Sequence, residues 1–168
     1  MSSEAIHPQA CIGHVHLKVA DLERAEQFYR QALGFEVTAR RPGAIFMSAG
    51  GYHHHLALNV WESAGGPPPP HGTTGLYHFA ILYPSRRDLA QALQRLLDHG
   101  VRLDGASDHG VSEAIYLHDP DGNGIEIYRD RPRAEWPRQG DQIAMARLPL
   151  DLPALLAELE RPVEQASA

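Results

Sequence analysis

The sequence has little of three features that mark specialised classes of protein. A single cysteine, Cys11, among 168 residues excludes a disulfide within the chain and gives no reason to expect export from the cytoplasm. No apolar run approaches the roughly 18 residues that a membrane-spanning helix needs, and the first residues lack the basic start and apolar stretch of a signal peptide. Basic charge is also scarce, since the formal net charge is -6, whereas nucleic-acid binding requires a basic face. We therefore expect a cytoplasmic globular protein that binds neither membranes nor nucleic acids.

Histidine, by contrast, is abundant. The chain has eleven histidines, and they run from His7 to His118, so they do not form a terminal tag. Hydrophobic residues make up 43% and charged residues 21% of the sequence, which is typical of a globular fold. The length suffices for one domain or for two small modules that share a core. The positions of the histidines therefore need an explanation within such a fold.

Two segments of the chain follow one pattern. In the first, His14 opens an alternating run typical of a half-buried strand, Asp21 is suited to begin a helix, and Gly34 is suited to end it. The second segment repeats the pattern 64 to 66 residues later, with His78 in the place of His14, Ser85 in that of Asp21 and Gly100 in that of Gly34. The repeat predicts two copies of one structural module.

Three candidate strands follow each predicted helix. They lie near residues 35–40, 44–49 and 53–61 in the first copy and near 101–104, 113–118 and 124–130 in the second. A chain that reads βαβββ twice predicts an α+β fold in which two modules form a curved mixed sheet around a cavity. The predicted organisation is an N-terminal extension (1–10), a domain (11–132) made of module one (11–63), a proline-rich linker (64–73) and module two (74–132), and a C-terminal tail with one short helix (133–168). We expect the tail to cover a sheet edge or a partner subunit rather than to carry chemistry.

Two equivalent histidines and one carboxylate are predicted to face this cavity. His14 and His78 alternate with apolar residues that should pack on the helices, so their side chains should lie on the open face. Glu126 stands between Ile125 and Ile127 and should face the same way. Two histidines and one carboxylate from three strands form a set that binds a divalent metal and leaves positions open for other ligands. The sequence thus predicts a metal site at His14, His78 and Glu126.

The sequence resembles the vicinal oxygen chelate superfamily, which includes glyoxalase I, extradiol dioxygenases and fosfomycin- and bleomycin-resistance proteins. The resemblance covers about residues 11–132 and rests on the helix from Asp21 to Tyr29 (DLERAEQFY), the duplicated βαβββ pattern and the Asp-Pro-Asp-Gly-x-x-x-Glu ending at Glu126. It implies metal ligands at His14, His78 and Glu126, in agreement with the strand pattern. Because this fold often forms homodimers, a homodimer is expected.

Finer motifs resemble the type I extradiol ring-cleavage dioxygenases. The positions that match the signature of that family are His109, Ile115, Tyr116, Asp119, Pro120, Gly122 and Glu126, whereas Ser107 departs from its first position. The resemblance implies Fe(II), with Mn, Ni or Zn as alternatives, and a small aromatic diol and O2 as reactants. His109 and Tyr116 would then hydrogen-bond the oxygens of the diol, and Tyr128 would line the same wall.

Two histidines compete for the role of acid and base. The run His53-His54 before Leu56 resembles the H-H-x-L-A motif of the same family, in which the second histidine is the acid/base, and this favours His54. Strand parity instead favours His55, but a bulge after the glycine pair at 50–51 could shift the face, so His54 is preferred. His16 and His53 are expected to be neighbours of the site. The four other histidines, at positions 7, 71, 99 and 118, are assigned to the surface, to loops or to a helix end.

Two other functions fit the same fold. A glyoxalase-type lyase or isomerase usually takes a fourth, carboxylate ligand from the strand that here carries histidines, and no Asp or Glu lies between Val37 and Trp61. A non-catalytic protein that binds a small molecule usually lacks the metal triad, which this chain keeps. Both are therefore weaker interpretations than the dioxygenase.

Overall fold

A computed structural model describes residues 5–162, and it contains the βαβββ order twice. The first copy consists of β1 (Val15–Lys18), α1 (Leu22–Gln31), β2 (Glu36–Arg41), β3 (Ala44–Ser48) and β4 (Leu56–Asn59). The second consists of β5 (Phe79–Leu82), α2 (Arg86–Asp98), β6 (Leu103–Asp108), β7 (Ser112–His118) and β8 (Gly124–Asp130). The prediction of an α+β fold with a duplicated module is confirmed.

Local hydrogen bonds explain where the two long helices begin and end. The Asp21 carboxylate accepts a hydrogen bond from the backbone N–H of Arg24 (3.0 Å), and the Ser85 hydroxyl accepts one from the backbone N–H of Asp88 (3.1 Å). Each side chain thereby satisfies an N–H group that has no partner within the first turn of its helix. At the end of α1, Gly34 adopts a φ of 81°, a conformation that glycine takes without strain.

The first sheet has the strand order β1-β4-β3-β2. Strands β1 and β4 are parallel, and the other two pairs are antiparallel. All four residues of β4 are buried, and the α1 residues Ala25 and Tyr29 are fully buried. This buried sheet and helix form the core of the first module.

The second sheet contains the equivalent order β6-β7-β8-β5. The first and last strands of the module, β5 and β8, again pair in parallel, and β7 and β8 pair antiparallel. Helix α2 packs against β8, and the large side chains that are fully buried in these two elements are Leu89, Leu93, Leu96, Ile125 and Ile127. Both main sheets are mixed, as predicted, but the strands divide into one sheet per module rather than forming a single continuous sheet.

The chain divides into two compact units. Within residues 5–162, one unit comprises residues 5–30 and Gly34–Pro68, and the other comprises Gln31–Leu33 and residues 69–162. The division after Pro68 falls inside the predicted linker (64–73). No helix among residues 5–162 is both long and apolar enough to cross a membrane.

The C-terminal tail adds to the second unit. It contains a two-stranded hairpin, β9 (Arg138–Gln139) with β10 (Gln142–Ile143), then β11 (Leu148–Pro149) and the short helix α3 (Leu152–Leu156), which continues into a 3₁₀ turn. Strand β11 pairs antiparallel with β6 and covers the edge of the second sheet. Helix α3 packs on α2 through the fully buried Leu155. The described part of the tail therefore covers one sheet edge and carries a short helix.

Candidate active site

A histidine and a glutamate meet at one end of the second sheet. His78 directly precedes β5, and Glu126 lies on the adjacent parallel strand β8, opposite Ala80. The His78 Nε2 and Glu126 Oε2 atoms are 2.9 Å apart, and the side chains are 31% and 13% exposed. The structure thus brings these two residues together, whereas their role as metal ligands stays a prediction.

Gly124 allows this close approach. A Cβ atom at this position would overlap the carbonyl oxygen of Tyr77 and lie 3.1 Å from the Cβ atom of His78. The backbone of β8 can therefore pack directly against residues 77–78 only because position 124 has no side chain. The glycine thus sets the distance between the strand that carries Glu126 and the segment that carries His78.

A hydrogen-bonded chain leads from the glutamate to the next two predicted site residues. Tyr116 faces Glu126 across the β7–β8 pair, and its hydroxyl lies 3.4 Å from Glu126 Oε1 and 2.8 Å from His109 Nε2. Burial and the nearby Glu126 carboxylate raise the pKa of Tyr116 to about 12, so the phenol keeps its proton at neutral pH. Since that hydroxyl has one proton to donate, it serves either His109 or Glu126 at a given moment.

The tail fixes the tautomer of His109. Its Nδ1 atom lies 2.9 Å from the carbonyl oxygen of Ala146, and a carbonyl can only accept a hydrogen bond. Nδ1 therefore carries a proton, which leaves Nε2 of the neutral ring free to accept from Tyr116. The backbone N–H of Ala146 also donates to the carbonyl oxygen of His109 (2.9 Å), so the two residues are joined at two points.

His78, His109 and Tyr116 line a cleft of about 720 Å³ in the second unit. The residues that line it are Tyr77, His78, Asp104, Gly105, Ala106, Ser107, His109, Tyr116, Arg147, Leu148 and Pro149. The last three belong to the tail, because the pairing of β11 with β6 brings this part of the tail to the wall of the cleft. Tyr128, which was expected on this wall, is not among the lining residues.

In the first unit, His14 and His54 are in contact. Their ring centroids are 4.5 Å apart, and the ring of Phe46 packs edge-on against His54 at 5.2 Å. Burial, and then the charge that His14 carries when protonated, lower the pKa of His54. The His54 ring is therefore neutral at neutral pH and able to accept a proton.

His55 points to a different environment. Its Nδ1 atom lies 2.9 Å from the Ser48 hydroxyl oxygen, and its ring stacks against Tyr52 at 4.7 Å. Strand parity favoured His55, but β4 begins only at Leu56, so the alternation of a strand does not extend back to these histidines. Of the two candidates for the acid/base, His54 is the one whose ring contacts His14.

The two remaining neighbours are also in the first unit. His53 Nδ1 lies 2.7 Å from His54 Nδ1, so one of the two rings donates to the other. His16 contacts the Asn59 side chain instead, with 2.9 Å between its Nε2 and Asn59 Nδ2, and its ring packs edge-on against Trp61. His53 is thus a direct partner of His54, whereas His16 is held by the β4 side of the sheet.

The donor chemistry of His78 and Glu126 fits a metal ion. Two donors that each lie about 2.1 Å from an ion and at right angles to one another are about 3 Å apart, close to the 2.9 Å between His78 Nε2 and Glu126 Oε2. Within residues 5–162 the structure has no preformed group of three or more histidine, cysteine, aspartate or glutamate side chains arranged for a metal. His14 belongs to the first unit, and its place in the ligand set stays a prediction.

Two residues went unnoticed in the sequence, namely Arg147, which lines the cleft, and Ala146, whose carbonyl oxygen lies beside His109 Nδ1. Ala146 and Arg147 lie in a stretch with no periodic pattern, and only the two-residue strand β11 brings them beside β6. An alanine that acts through its backbone carbonyl leaves no trace in a sequence. The arginine carries a recognisable side chain, but its position depends on a pairing too short to be predicted.

The chain is similar to known proteins over most of its length. Residues 11–127 match the Glyoxalase/Bleomycin resistance protein/Dioxygenase superfamily. The chain is 44% identical over 155 residues to a catechol-2,3-dioxygenase of Bacillus subtilis (strain 168), an alignment that covers 92% of this chain and 54% of that protein. It is 32% identical over 119 residues to biphenyl-2,3-diol 1,2-dioxygenase 3 of Rhodococcus globerulus, covering 71% of this chain and 63% of that protein. The chain therefore spans between about half and two thirds of the length of these two relatives.

Solved structures show the same fold. A lactoylglutathione lyase from Agrobacterium tumefaciens aligns with a TM-score of 0.57 at 26% identity, covering 73% of this chain and 96% of that one. A glyoxalase/dioxygenase from Nostoc punctiforme aligns with a TM-score of 0.61 at 17% identity, covering 79% of this chain and all (100%) of that one. The second likeness concerns the fold alone.

Proposed function

Because the chain belongs to the Glyoxalase/Bleomycin resistance protein/Dioxygenase superfamily, we propose that it is an extradiol-type dioxygenase that uses Fe(II) to cleave a small catechol-like aromatic diol with O2. Support comes from the similarity to a catechol-2,3-dioxygenase over 92% of the chain. The observation that carries the proposal is the linked set of His78, Glu126, Tyr116 and His109, whose side chains are joined by contacts of 2.8 to 3.4 Å beside an open cleft.

The overall reaction balances without a further reductant. The ring bond that breaks joins one hydroxyl-bearing carbon to the adjacent carbon that carries no hydroxyl. Both atoms of O2 enter the ring-opened product. Carbon is oxidised and O2 is reduced in the same molecule of product. The diol and O2 are therefore the two substances that the proposed reaction consumes.

The proposed metal ligands are His14 of the first module and His78 and Glu126 of the second. Bound Fe(II) would polarise the two adjacent oxygens of the diol and supply redox contact with O2. Tyr116 would help to orient the Glu126 carboxylate, because its hydroxyl is within hydrogen-bonding range of that carboxylate (3.4 Å). The 13% exposure of Glu126 keeps this carboxylate largely out of water.

Three side chains of this protein would handle the substrate and its protons. His54 would accept a proton from a hydroxyl of the diol and return it during ring opening. Tyr116 and His109 would hydrogen-bond the oxygens of the diol. Since Ala146 holds the Nδ1 proton of His109 in place, the Nε2 atom would be the one that acts towards Tyr116 and the substrate.

Metal analysis of anaerobically purified protein, followed by oxygen uptake with a panel of substituted catechols, tests this function. The proposal predicts bound iron and oxygen uptake with at least one diol of the panel. Bound iron without uptake over a broad panel would reject the dioxygenase and leave the fold and the metal ligands standing.

A further inference from the structure

We infer that the cleft of the second unit selects diols that carry an anionic substituent, such as a carboxylate, and that Arg147 recognises this substituent. The inference rests on the proposed function, because it names the class of substrate for the same cleft. Arg147 lines the cleft together with His78, His109 and Tyr116. A guanidinium group in this position offers a planar set of donors that matches a carboxylate.

The backbone on both sides of Arg147 is fixed. On one side, the Ala146 N–H donates to the carbonyl oxygen of His109 (2.9 Å). On the other, Leu148 pairs with Asp108 in the β11–β6 ladder, and its carbonyl oxygen accepts a hydrogen bond from the Ser107 hydroxyl (3.3 Å). The guanidinium group therefore extends from an anchored position rather than from a free chain segment.

Arg147 has no carboxylate partner among residues 5–162, unlike the structural arginines of the same unit. Arg129 pairs with the buried Glu113 at 2.7 Å, and Arg131 pairs with Asp108 at 2.5 Å. Of the described residues that line the cleft, Arg147 is also the one with a permanent positive charge. Its positive charge also lowers the pKa of the Tyr116 hydroxyl, against the larger opposite effects of burial and Glu126.

Two features, the Asp104 carboxylate and the negative net charge of the chain, disfavour the binding of an anionic ligand. Asp104 also lines the cleft, but its carboxylate is engaged by the His118 ring, with 2.5 Å between Nδ1 and Oδ2. The net charge of -6 repels anions at long range. A preference for an anionic diol would therefore have to come from a local cation, and Arg147 is the residue that the cleft offers.

Anaerobic titration calorimetry of the full chain with two diols of similar size, 3,4-dihydroxybenzoate and 4-methylcatechol, tests the inference. The acid should bind roughly 10- to 100-fold more tightly than the neutral diol, and added salt should reduce this ratio. Arg147→Gln should abolish the preference, and Arg147→Lys should keep part of it, because the charge remains while the planar fork is lost. Arg138→Gln is the matched control, since Arg138 is an exposed arginine of β9 in the same tail and does not line the cleft.

Equal affinities of the unaltered protein for the two diols would overturn the inference. A protein that binds neither diol would overturn it as well. A preference for the acid that survives in Arg147→Gln would do the same. Oxygen uptake, measured separately, reports on the proposed function. A protein that binds the acid through Arg147 and consumes no O2 would keep this inference and reject the dioxygenase, whereas equal binding with rapid oxygen uptake would do the reverse.

Discussion

At the scale of single residues, the carboxylate of Glu126 is the group on which metal binding should depend most. Glu126→Gln keeps the shape of the side chain and a hydrogen-bonding oxygen near His78 but removes the charge that a divalent ion needs. We expect this variant to lose most of its bound metal when it is purified beside the unaltered protein and both are analysed for metal content.

Glu62→Gln is the control for that experiment. Its carboxylate is 77% exposed and pairs with Lys18 at 3.6 Å, so its removal should leave the metal content unchanged. A Glu126→Gln protein with the full metal content would refute the ligand role of Glu126.

The neighbouring histidines His54 and His55 provide a matched pair of variants. His54→Asn should reduce the rate of oxygen uptake by about 100-fold or more, because it removes the proposed acid/base next to His14. His55→Asn should change the rate by less than about threefold, since the His55 ring bonds to Ser48 and stacks on Tyr52 instead. Rates are to be compared at equal metal content, and equal losses in both variants would contradict the assignment.

At the scale of elements, the packing of β8 against residues 77–78 depends on Gly124. Gly124→Ala would force a Cβ atom into the backbone of Tyr77, so we expect the free energy of unfolding to fall by about 1–3 kcal/mol. Gly105→Ala is the control, because an added Cβ there meets no atom within 4 Å. Urea unfolding measures the free energy of unfolding of both variants. If Gly124→Ala were as stable as Gly105→Ala, the packing of β8 against residues 77–78 would not depend on the glycine.

The link between β6 and the end of β8 should make stability depend on pH. Burial alone would raise the pKa of Asp108, but hydrogen bonds from Arg131 and from the Gly110 N–H outweigh it and lower the pKa below its usual value near 3.8. A lowered pKa in the folded state means that the ionised carboxylate stabilises the fold above pH 4 and that this contribution is lost as the pH falls through the folded pKa.

The variant Asp108→Asn tests this link. We expect it to be less stable than the unaltered protein by about 1–2 kcal/mol at pH 7, and the difference should shrink below pH 4. Urea unfolding at pH 7, 5 and 3 measures the effect. A difference that is constant over this range, or that grows as the pH falls, would contradict the sign of the shift.

At the scale of the whole molecule, the repeat explains why so much of the fold could be predicted. Helix caps, such as Asp21 and Ser85, and the alternation of strand residues are local patterns that span a few positions. Each helix and strand of the two modules can therefore be predicted from the residues near it. The second copy then confirmed the first, and it singled out His14 and His78 as equivalents. The meeting of His78 and Glu126 followed from the parallel pairing of two strands that this topology requires.

The parts that could not be predicted depend on contacts without a local pattern. Strand alternation favoured His55 and so could not identify His54, because residues 52–55 precede β4 and follow no strand alternation. The cleft wall formed by Arg147 depends on the two-residue strand β11, whose pairing partner lies about 40 positions earlier in the chain. Sequence periodicity carries no information on either kind of contact.

The central claim, that this molecule opens an aromatic diol with O2, is tested most directly by the stoichiometry and mass of its product. The iron-loaded protein, given catechol or a substituted catechol in air-saturated buffer, should consume one O2 per diol and form a product heavier than the diol by two oxygen atoms. A product lighter than the diol by two hydrogens, which is the quinone, or no oxygen consumption by iron-loaded protein with any diol, would contradict it.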